Sequence, residues 1–500
     1  MDKTIFSLLD RRNQAILNII EIISDTNQWY SINELSQSLD VSSRTVQRYI
    51  NTLIEFVDAY NEKSNRPIEL QLEKFKGIKL IIDRGSNYMV FRNFILEQDD
   101  TLFLLSQLLI GNVPSVRKYA DDNYLNEDTV RKNIRKIKHF FKDYDLGIAN
   151  NTLEITGEEK QIRLIMFVIF WLVFKGLNWP FKAIDRNKVN NTINYLEDDL
   201  GTKLSEIHRR QLSYLLAIHL IRISKGHVVE MEDEWKSFVN IHSLIKRSHF
   251  LNALREDYLI YSESELTLLT LGLLSKPKFY QIEIFKTNVF DYQAKTNSDV
   301  YQITQQFMDY FEENIVEIPD NIQERFFSTA FCTHLFAKIF NNIHVDIDGH
   351  DISRIYRKDY PTLEKKLLTL IANLKESTQN PLFEEEHFLM QKYMLLFSSI
   401  LPMTYFEPTI TLFLDSDLPY YLKQNLVKKI TGYFKFDFNL IVLENDEEEK
   451  ADLILTNIPN LFEEQHRFSY DIHLFEYPFK PRDFNDIEKK LRIITQRKTN

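Results

Sequence analysis

The sequence of 500 residues has a single cysteine, Cys332, and few glycines and prolines, 11 and 13 respectively. One cysteine excludes an internal disulfide and a zinc site built from several thiolates, and it is typical of a reducing compartment. The scarcity of Gly and Pro, with a hydrophobic fraction of 44%, excludes a collagen-like, linker-like or largely disordered chain. We therefore expect a cytoplasmic protein with several globular domains.

Long hydrophobic runs are also missing. The longest, residues 164–174, would rise only about 16 Å as an α-helix, roughly half the hydrocarbon core of a bilayer. Residues 1–12 carry charges of both signs and lack the basic start and small-residue cleavage site of a signal peptide. We expect a buried helix at the apolar run and no membrane contact.

Net positive charge is absent, since the formal charge is −11. Its distribution is uneven: residues 1–157 hold 20 Lys and Arg against 22 Asp and Glu, a charge of −2, and the rest of the chain carries −9. Binding to phosphates requires only a locally basic face. The overall charge therefore does not exclude a nucleic-acid-binding segment near the N-terminus.

A weak internal repeat at an offset of 84 residues is the most informative pattern that is present. Residues 31–60 align with residues 115–144. The matched positions include Ser31 with Ser115, Leu35 with Tyr119, Val41 with Leu125, Ser42 with Asn126, Thr45 with Thr129, Val46 with Val130, Arg48 with Lys132, Ile50 with Ile134, Leu53 with Ile137 and Phe56 with Phe140. Such a repeat predicts one structural unit used twice.

Each copy is predicted to be a helix, a short turn and a second helix. In the first copy Ser31 and Glu34 form a capping box, and Ser42 or Ser43 caps a helix that runs to about Tyr60. The second helices carry apolar stripes at three- and four-residue spacing, formed by Val46, Ile50, Leu53 and Val57 in one copy and by Val130, Ile134, Ile137 and Phe141 in the other.

A hairpin follows each helix pair. Residues 68–83 alternate around Lys76-Gly77, and residues 148–156 form a shorter version around Asn150-Asn151. A helix-turn-helix followed by a hairpin is the winged-helix plan. We therefore expect two winged helix-turn-helix domains, at residues 1–85 and 86–158.

The second helix of the second copy has the strongest chemical feature. From Thr129 to Lys142 there are six Lys or Arg and no acidic residue. Such a helix in a major groove neutralises phosphates and brings Arg to a guanine edge, although a charge run is also typical of a solvated helix face. The predicted contacts with double-stranded DNA are Ser42, Ser43, Arg44, Thr45, Gln47 and Arg48 in the first copy and Asn126, Thr129, Arg131, Lys132, Arg135, Lys136 and Lys138 in the second.

The remainder of the chain divides into helical and mixed parts. Residues 159–402 are predicted to be nearly all helix and fit two all-α bundles, at 159–280 and 281–402. Residues 403–500 alternate strands and helices, which indicates a small α/β domain with a mainly parallel sheet. The expected fold is thus multidomain and mainly α.

This order of domains resembles the Mga/AtxA family of Gram-positive virulence regulators. The motifs that carry the resemblance are LSQSLDVSSRTVQRYINTL at 35–53, LEITGEEKQIR at 153–163 and IRISKGHVV at 221–229. The resemblance implies that the bundles are phosphotransferase-regulation (PRD-like) domains and that the last domain is similar to the EIIB component of sugar phosphotransferase systems. It further implies a DNA-binding regulator, a homodimer, and phosphocarrier proteins as partners.

Histidines in the bundles are implied by the resemblance to accept phosphoryl groups from the sugar-transport phosphorelay. An exposed His with a pKa near neutrality suits that role. The candidates are His208, beside Arg209 and Arg210, and His334 in the second bundle; His219 is a third, and it is better explained as a core histidine. An ordinary helical histidine is the alternative explanation for each.

Enzymatic activity is not expected. An EIIB enzyme carries its phosphoryl group on a cysteine after the first strand, where this chain has Asp415 to Pro419 without cysteine. No cofactor or metal is expected either, because a polar turn explains the acidic and histidine residues His344, Asp346, Asp348 and His350. A phosphotransfer protein and an RNA-binding antiterminator remain the alternative functions.

Overall fold

A computed structural model describes residues 3–25, 28–81, 87–342, 360–443, 448–459 and 471–499. These residues pack as two compact units. The first holds the chain up to Ser298 together with residues 339–342, and the second holds residues 299–338 and the described residues from Tyr360 onward. Helices dominate both units, as the sequence predicts, and the described residues form three small sheets. The four residues assigned to a polar turn between His344 and His350 lie outside the described part of the chain.

The first winged unit follows a short N-terminal helix, α1 (Lys3–Leu8). Its elements are α2 (Arg11–Asp25), α3 (Ile32–Leu39), α4 (Ser43–Asn61), β1 (Glu69–Glu73) and β2 (Gly77–Ile81). Val46, Ile50 and Leu53 of α4 are fully buried, and α4 packs on α2 and α3. The predicted stripe is therefore the face that joins the three helices.

The wing is attached to the helix-turn-helix by its backbone. The N–H and C=O groups of Tyr30 both bond to Ile78, each at 2.9 Å, while β1 and β2 pair antiparallel with Glu73 opposite Gly77. Gly77 has a φ of +99°, and a Cβ there would lie 2.0 Å from the carbonyl oxygen of Tyr30. Glycine is therefore required where the hairpin turns.

The second winged unit repeats this arrangement after a connecting helix, α5 (Tyr88–Glu97). Its elements are α6 (Asp100–Leu109), α7 (Val116–Asp122), α8 (Glu127–Lys142), β3 (Gly147–Ile148) and β4 (Ile155–Thr156). Val130 and Ile137 of α8 have 0% exposure, and α8 packs on α6 and α7. Its hairpin is short, with Gly147 opposite Thr156.

The rest of the first compact unit is a helical bundle. Its helices are α9 (Glu159–Phe174), α10 (Arg186–Leu200), α11 (Glu206–Ser224), α12 (Trp235–Phe238), α13 (Ile241–Ile245), α14 (His249–Tyr258), α15 (Glu263–Leu274), a 3-10 helix (Pro277–Gln281) and α16 (Glu283–Thr296). The apolar run 164–174 lies in α9, where residues 164–173 are buried. In the described residues, no helix is long and apolar enough to cross a membrane.

Helix α16 packs with the first bundle, although it lies after the boundary predicted between residues 280 and 281. Gln293 Nε2 donates to the carbonyl of Phe238 at 2.5 Å, and Tyr292 Oη donates to the carbonyl of Lys236 at 2.7 Å. The division between the compact units follows Ser298 instead. Pro277, three residues before the predicted boundary, begins the 3-10 helix.

The second compact unit contains a second group of helices. They are α17 (Asp299–Asn314), α18 (Asp320–Ile339), α19 (Pro361–Thr378) and α20 (Glu386–Ser398), with 3-10 helices at Pro381–Glu384 and Met403–Phe406. Phe307, Phe383 and Tyr393 each have 0% exposure, and the rings of Phe307 and Tyr393 are in contact with a centroid distance of 4.4 Å. The helical character predicted for residues 281–402 is confirmed for the described residues.

The chain ends in a small α/β domain. Its elements are β5 (Thr409–Asp415), α21 (Tyr420–Phe434), β6 (Asn439–Val442), a 3-10 helix (Glu448–Lys450), β7 (Leu453–Thr456), β8 (Asp471–Leu474) and α22 (Pro481–Thr499). The four strands pair in parallel in the order β6-β5-β7-β8. Both inner strands bury alternate residues against α21 and α22. The predicted alternation of strands and helices with a mainly parallel sheet is confirmed for the described residues.

Candidate nucleic-acid interface

Short-range hydrogen bonds fix the starts of α3 and of α4, the first recognition helix. Ser31 and Glu34 form the predicted capping box: the Ser31 hydroxyl accepts from the Glu34 N–H at 3.2 Å, and the Glu34 carboxylate accepts from the Ser31 N–H at 2.7 Å. Helix α3 ends at Asp40, whose backbone is in the left-handed region with a φ of 52°. Ser42 then caps α4 by accepting from the Thr45 N–H at 3.3 Å.

The predicted contact residues of this unit lie at the surface. The exposed ones are Ser42, Ser43, Arg44 and Arg48, and the half-exposed ones are Thr45 and Gln47. Gln47 Nε2 donates to Asn51 Oδ1 at 3.3 Å, and the Arg48 guanidinium lies 5.7 Å from the ring centre of Tyr49. The helix thus presents hydroxyl groups at its N-terminal end and two guanidinium groups along one side. Such groups suit contacts that set register on a duplex.

The second recognition helix is more basic, but it begins two residues before the basic window. Its first turn contains Glu127 and Asp128, which the window from Thr129 onward leaves out. Carboxylates there are favoured by the helix dipole, and Glu127 pairs with Arg131 at 3.0 Å. Six cationic residues therefore stand against two acidic ones on this helix, which remains strongly basic.

Most of the cationic residues of α8 are available at the surface. Arg131, Lys132 and Arg135 are exposed, as is Thr129. Lys138 is half-buried, and its Nζ donates to Asn150 Oδ1 of the second hairpin at 2.6 Å. This bond ties the recognition helix to its own wing, so Lys138 holds the hairpin as well as carrying charge.

Lys136 does not lie on the outward face, which disfavours the predicted contact with DNA. Its Nζ donates to the carbonyl oxygens of Leu8 at 2.9 Å and Leu9 at 2.5 Å. Burial lowers the pKa of this ammonium group, and the nearby carboxylates of Asp99 and Asp10 oppose that shift. Helical spacing placed it beside the outward residues Lys132 and Arg135, and only the packing of α1 on α8 turns it inward.

The two copies of the repeat have equivalent caps. Ser115 caps α7 by accepting from the Lys118 N–H at 3.1 Å, as Ser31 caps α3. Asn126 caps α8 by accepting from the Asp128 N–H at 2.8 Å, in the position that corresponds to Ser42. Both pairs are 84 residues apart, so the repeat found in the sequence is a structural repeat.

His219 lies inside a buried ionic network. Its Nδ1 accepts from Arg163 Nη1 at 2.8 Å. Arg163 pairs with Glu265 through two bonds of 2.5 and 2.9 Å and with Glu159 at 2.8 Å. Burial and the charge of Arg163 lower the pKa of His219 to about 4, so the imidazole is neutral at pH 7. The interpretation as a core histidine is favoured over phosphorylation.

The same network joins the two bundle motifs found in the sequence. Glu159 and Arg163 belong to the segment 153–163, and Arg222, from the segment 221–229, binds Glu159 at 2.5 and 2.8 Å. Glu265 also accepts from the Val229 N–H at 2.8 Å. Sequence reasoning missed Glu265, because it lies 102 residues from Arg163 and no local pattern links them.

His334 is fully buried, which disfavours the predicted phosphorylation at this residue. Its Nδ1 lies 2.9 Å from Thr304 Oγ1 and its Nε2 lies 2.8 Å from Tyr393 Oη. Thr304 already donates its hydroxyl hydrogen to the carbonyl of Val300, so Nδ1–H donates to Thr304 and Nε2 accepts from Tyr393. Burial lowers the pKa of His334 to about 3. Both nitrogens are engaged in the core.

His208 is the half-buried member of the three predicted histidines. Its Nδ1 lies 2.5 Å from Ser205 Oγ and 3.1 Å from Lys278 Nζ. The expected phosphate partners are engaged elsewhere, since Arg209 binds Glu197 at 2.7 Å and Arg210 binds Glu206 at 2.8 Å. Lys278 is therefore the cation beside His208, and its separation of 70 residues hid it from the sequence.

The loop after β5, Asp415 to Pro419, has no cysteine. Asp417 accepts from Asn457 Nδ2 at 2.5 Å and its N–H donates to Asn457 Oδ1 at 3.3 Å, so the loop is closed by an amide side chain. Cys332 is buried in α18. The position where an EIIB enzyme would have its cysteine thus carries carboxylates, which repel phosphate.

Comparison with known proteins supports the helix-turn-helix assignment. Residues 86–170 match the Mga helix-turn-helix domain, and residues 16–68 match an HTH domain. The similar proteins include the capsule synthesis positive regulators AcpB and AcpA and the anthrax toxin expression trans-acting positive regulator, all of Bacillus anthracis. Identities are 19%, 24% and 24%, over 60%, 44% and 53% of this chain.

The chain spans 61%, 44% and 54% of the length of these three relatives, which is less than two thirds in each case. The family matches fall on the two winged units and most of α9. The resemblance to the Mga/AtxA regulators that the sequence motifs indicate is confirmed by these matches.

Proposed function

We propose that this Mga-like chain is a DNA-binding positive regulator of transcription, in which both winged units contact duplex DNA. The observation that carries the proposal is the exposed cationic face of α8, formed by Arg131, Lys132 and Arg135, directly after a helix-turn-helix turn. The B. anthracis relatives are named positive regulators, which supports activation rather than repression.

The two winged units have different roles in this proposal. The helix α8 concentrates positive charge, so it supplies most of the affinity through release of counterions from phosphates. The helix α4 has two exposed Arg residues and a hydroxyl-rich N-terminal end, so it supplies orientation and base contacts. A protein with this division would lose affinity without α8 and lose sequence preference without α4.

A gel-shift titration over a salt series tests the proposal. The full chain is titrated with duplex DNA from upstream of its own coding sequence, with a random duplex and single-stranded RNA as competitors. Replacing Lys132 and Arg135 by Ala should weaken binding and flatten the slope of log K against log salt by about one unit for each lost phosphate contact.

The matched control removes two exposed lysines from the α/β domain, Lys428 and Lys489, also by Ala. The control should bind like the unmodified chain. An unchanged slope in the Lys132/Arg135 variant would contradict the assignment of α8, and preferential competition by RNA would favour the antiterminator alternative.

The helical bundles are proposed to be PRD-like regulatory domains. The support is the buried network that joins the segments 153–163 and 221–229, on which the resemblance depends. Within them we propose His208 as the phosphoacceptor for a phosphocarrier protein of the sugar phosphotransferase system, because it is half-buried and has Lys278 beside it. A phosphoryl group adds about −1.5 to −2 charge at pH 7 and seeks such cations.

The last domain is proposed to be EIIB-like in fold and to have no phosphotransferase activity. The parallel sheet β6-β5-β7-β8 with helices after β5 and β8 supports the first statement. The carboxylates Asp415 and Asp417, in place of a cysteine, support the second. We propose a homodimer in which this domain and the bundles provide the contacts.

A further inference from the structure

The junction between α1 and α2 is held by the recognition helix of the second winged unit. Lys136 Nζ, on α8, donates to the carbonyl oxygens of Leu8 and Leu9 at 2.9 and 2.5 Å. Both leucine side chains are buried, with 1% exposure, and α1 packs on α8. The segment that leads into the first winged unit therefore contacts the second winged unit.

Asp99 makes a second connection at the same junction. Its Oδ1 accepts from the N–H groups of Thr101 at 3.0 Å and Leu102 at 3.1 Å, which caps α6 of the second unit. Its Oδ2 accepts from Asn13 Nδ2 at 2.8 Å and from the Asp10 N–H at 3.3 Å, both at the start of α2. One carboxylate thus joins the first helices of the two units.

Burial makes these contacts hard to separate. Asp99 and Asn13 have 1% and 2% exposure, and a buried carboxylate or amide is unfavourable without its partners. The helix α2 also packs on α3 and α4. A shift at the junction would therefore move the first recognition helix relative to α8.

We propose that Lys136, Asp99, Asn13 and the backbone of residues 8–10 form a clasp that holds the two winged units as one DNA-reading body. Lys136 is a positioning residue that sets the separation of α4 and α8, and it does not contact phosphate. This inference rests on the proposed function, and it adds that the DNA site is bipartite with a fixed spacing between its two parts.

The first test needs no DNA. Spin labels are attached to cysteines introduced at Glu55 of α4 and His139 of α8, both exposed, in the full-length chain with Cys332→Ala. Pulsed dipolar spectroscopy should give one narrow distance distribution. Lys136→Met should broaden it at least twofold, whereas Lys132→Met, which removes an exposed lysine four residues earlier on the same helix, should leave it unchanged.

Asn13→Leu provides a second variant, since it removes the donor to Asp99 and leaves Lys136 in place. It should broaden the distribution in the same direction as Lys136→Met, with circular dichroism confirming the helical content of each variant. A distribution as narrow as that of the unmodified chain in both folded variants would overturn the clasp.

The second test uses duplexes selected from a random pool by the unmodified chain. Inserting about 5 base pairs, half a helical turn, between the two protected segments should reduce affinity at least tenfold for the unmodified chain and less than threefold for Lys136→Met. Lys132→Met should lower the salt slope by about one unit and Lys136→Met should leave it unchanged.

The outcomes separate this inference from the proposed function. If Lys136→Met lowers the salt slope as Lys132→Met does and leaves the label distance narrow, Lys136 is a phosphate contact and the clasp is wrong while DNA binding stands. If the distances broaden but neither variant changes DNA binding, the clasp exists and the assignment of α8 as a DNA contact is wrong.

Discussion

At the scale of single residues, Arg163 is surrounded by buried charged and polar groups. Its guanidinium binds two carboxylates, the imidazole of His219 and the carbonyl of His227 at 3.0 Å, with 2% of its side chain exposed. A buried ion pair contributes little net stability, but removing one partner leaves an uncompensated charge. The network therefore makes the folding of the first bundle sensitive to one side chain.

We expect Arg163→Met to lower the free energy of unfolding of the first compact unit by about 3–5 kcal/mol. Urea unfolding followed by tryptophan fluorescence measures this, because Trp29, Trp171, Trp179 and Trp235 are all in that unit. The double variant Arg163→Met/Glu265→Met should recover most of the loss. If the double variant loses as much unfolding free energy as the two single variants together, the unpaired buried charge is not the cause of the instability.

His334 should make the second compact unit less stable in acid. Its pKa is lowered by burial to about 3, below the ordinary value of about 6.5, so its contribution is complete above pH 6.5 and is lost as the pH falls toward 3. Between pH 7 and pH 5 this amounts to about 2 kcal/mol. In His334→Gln, the loss of unfolding free energy between pH 7 and pH 5 should be smaller by about 2 kcal/mol.

The measurement can use Cys332, which is buried in α18 two residues before His334 and is the single thiol of the chain. Pulse labelling with a dithiodipyridine in urea reports the opening of α18 at both pH values. If the free energy of unfolding falls by the same amount between pH 7 and pH 5 in His334→Gln and in the unmodified chain, the assignment of a neutral, core-bound His334 is contradicted.

Residue types alone could not place these side chains. The pattern around His334 shows helical spacing, but it does not show that Thr304 and Tyr393 lie 30 and 59 residues away in sequence and at hydrogen-bond distance. The same holds for Lys136 and Leu8. Helical periodicity predicts which residues share a face, and it cannot predict which neighbour covers that face.

At the scale of elements, the wing of the first unit depends on Gly77. We expect Gly77→Ala to destabilise the hairpin by more than about 1 kcal/mol, because the φ of +99° is unfavourable for Ala and the added Cβ would collide with the Tyr30 carbonyl. Gly226→Ala is the control: its φ is +83° and its Cβ would meet open space. Thermal unfolding of both variants should show the larger decrease for Gly77→Ala.

Elements were the level at which the sequence was most informative. Capping boxes, stripes of Val and Ile, and strand alternation are local, so the helices α3, α4 and α8 and the strands β5 and β7 follow from neighbouring residues. The acidic residues Glu127 and Asp128 fall outside the basic run but inside α8, because acidic residues favour a helix N-terminus.

At the scale of the whole molecule, the packing of α16 with the first bundle did not follow from the sequence. A proline marks where a helix cannot continue, and Pro277 marks a 3-10 turn inside a bundle. Which side of the turn the next helix packs on is decided by Gln293, Tyr292 and Thr296, whose side chains bond to backbone carbonyls of residues 236–238. These contacts are long-range and leave no local pattern.

Regulation by phosphorylation is testable on the full chain. We expect a phosphocarrier protein charged from phosphoenolpyruvate to label the unmodified chain and His334→Ala, and to leave His208→Ala unlabelled. Lys278→Ala should reduce the labelling rate several-fold because it removes the cation beside the acceptor. Equal labelling of His208→Ala and the unmodified chain would move the site elsewhere.

Self-association should be seen in sedimentation equilibrium as a monomer–dimer equilibrium over a concentration series. His208→Asp, which imitates the added charge, should preserve or strengthen the dimer. His334→Asp would place a carboxylate in the apolar core beside Phe307 and Tyr393, so its effect would report misfolding rather than regulation. A chain that remains monomeric at every concentration would contradict the proposed homodimer.

The structural repeat at an offset of 84 residues has an evolutionary consequence. In both copies, caps and buried stripes specify the fold, whereas the outward positions of α4 and α8 contribute little to it. After a tandem duplication, those outward positions can diverge independently, because neither copy depends on them for stability. Under the proposed function, the base preference of one copy can thus change while the other copy keeps its original contacts. Proteins descended from one ancestor can then bind different promoter sequences without a loss of folding stability.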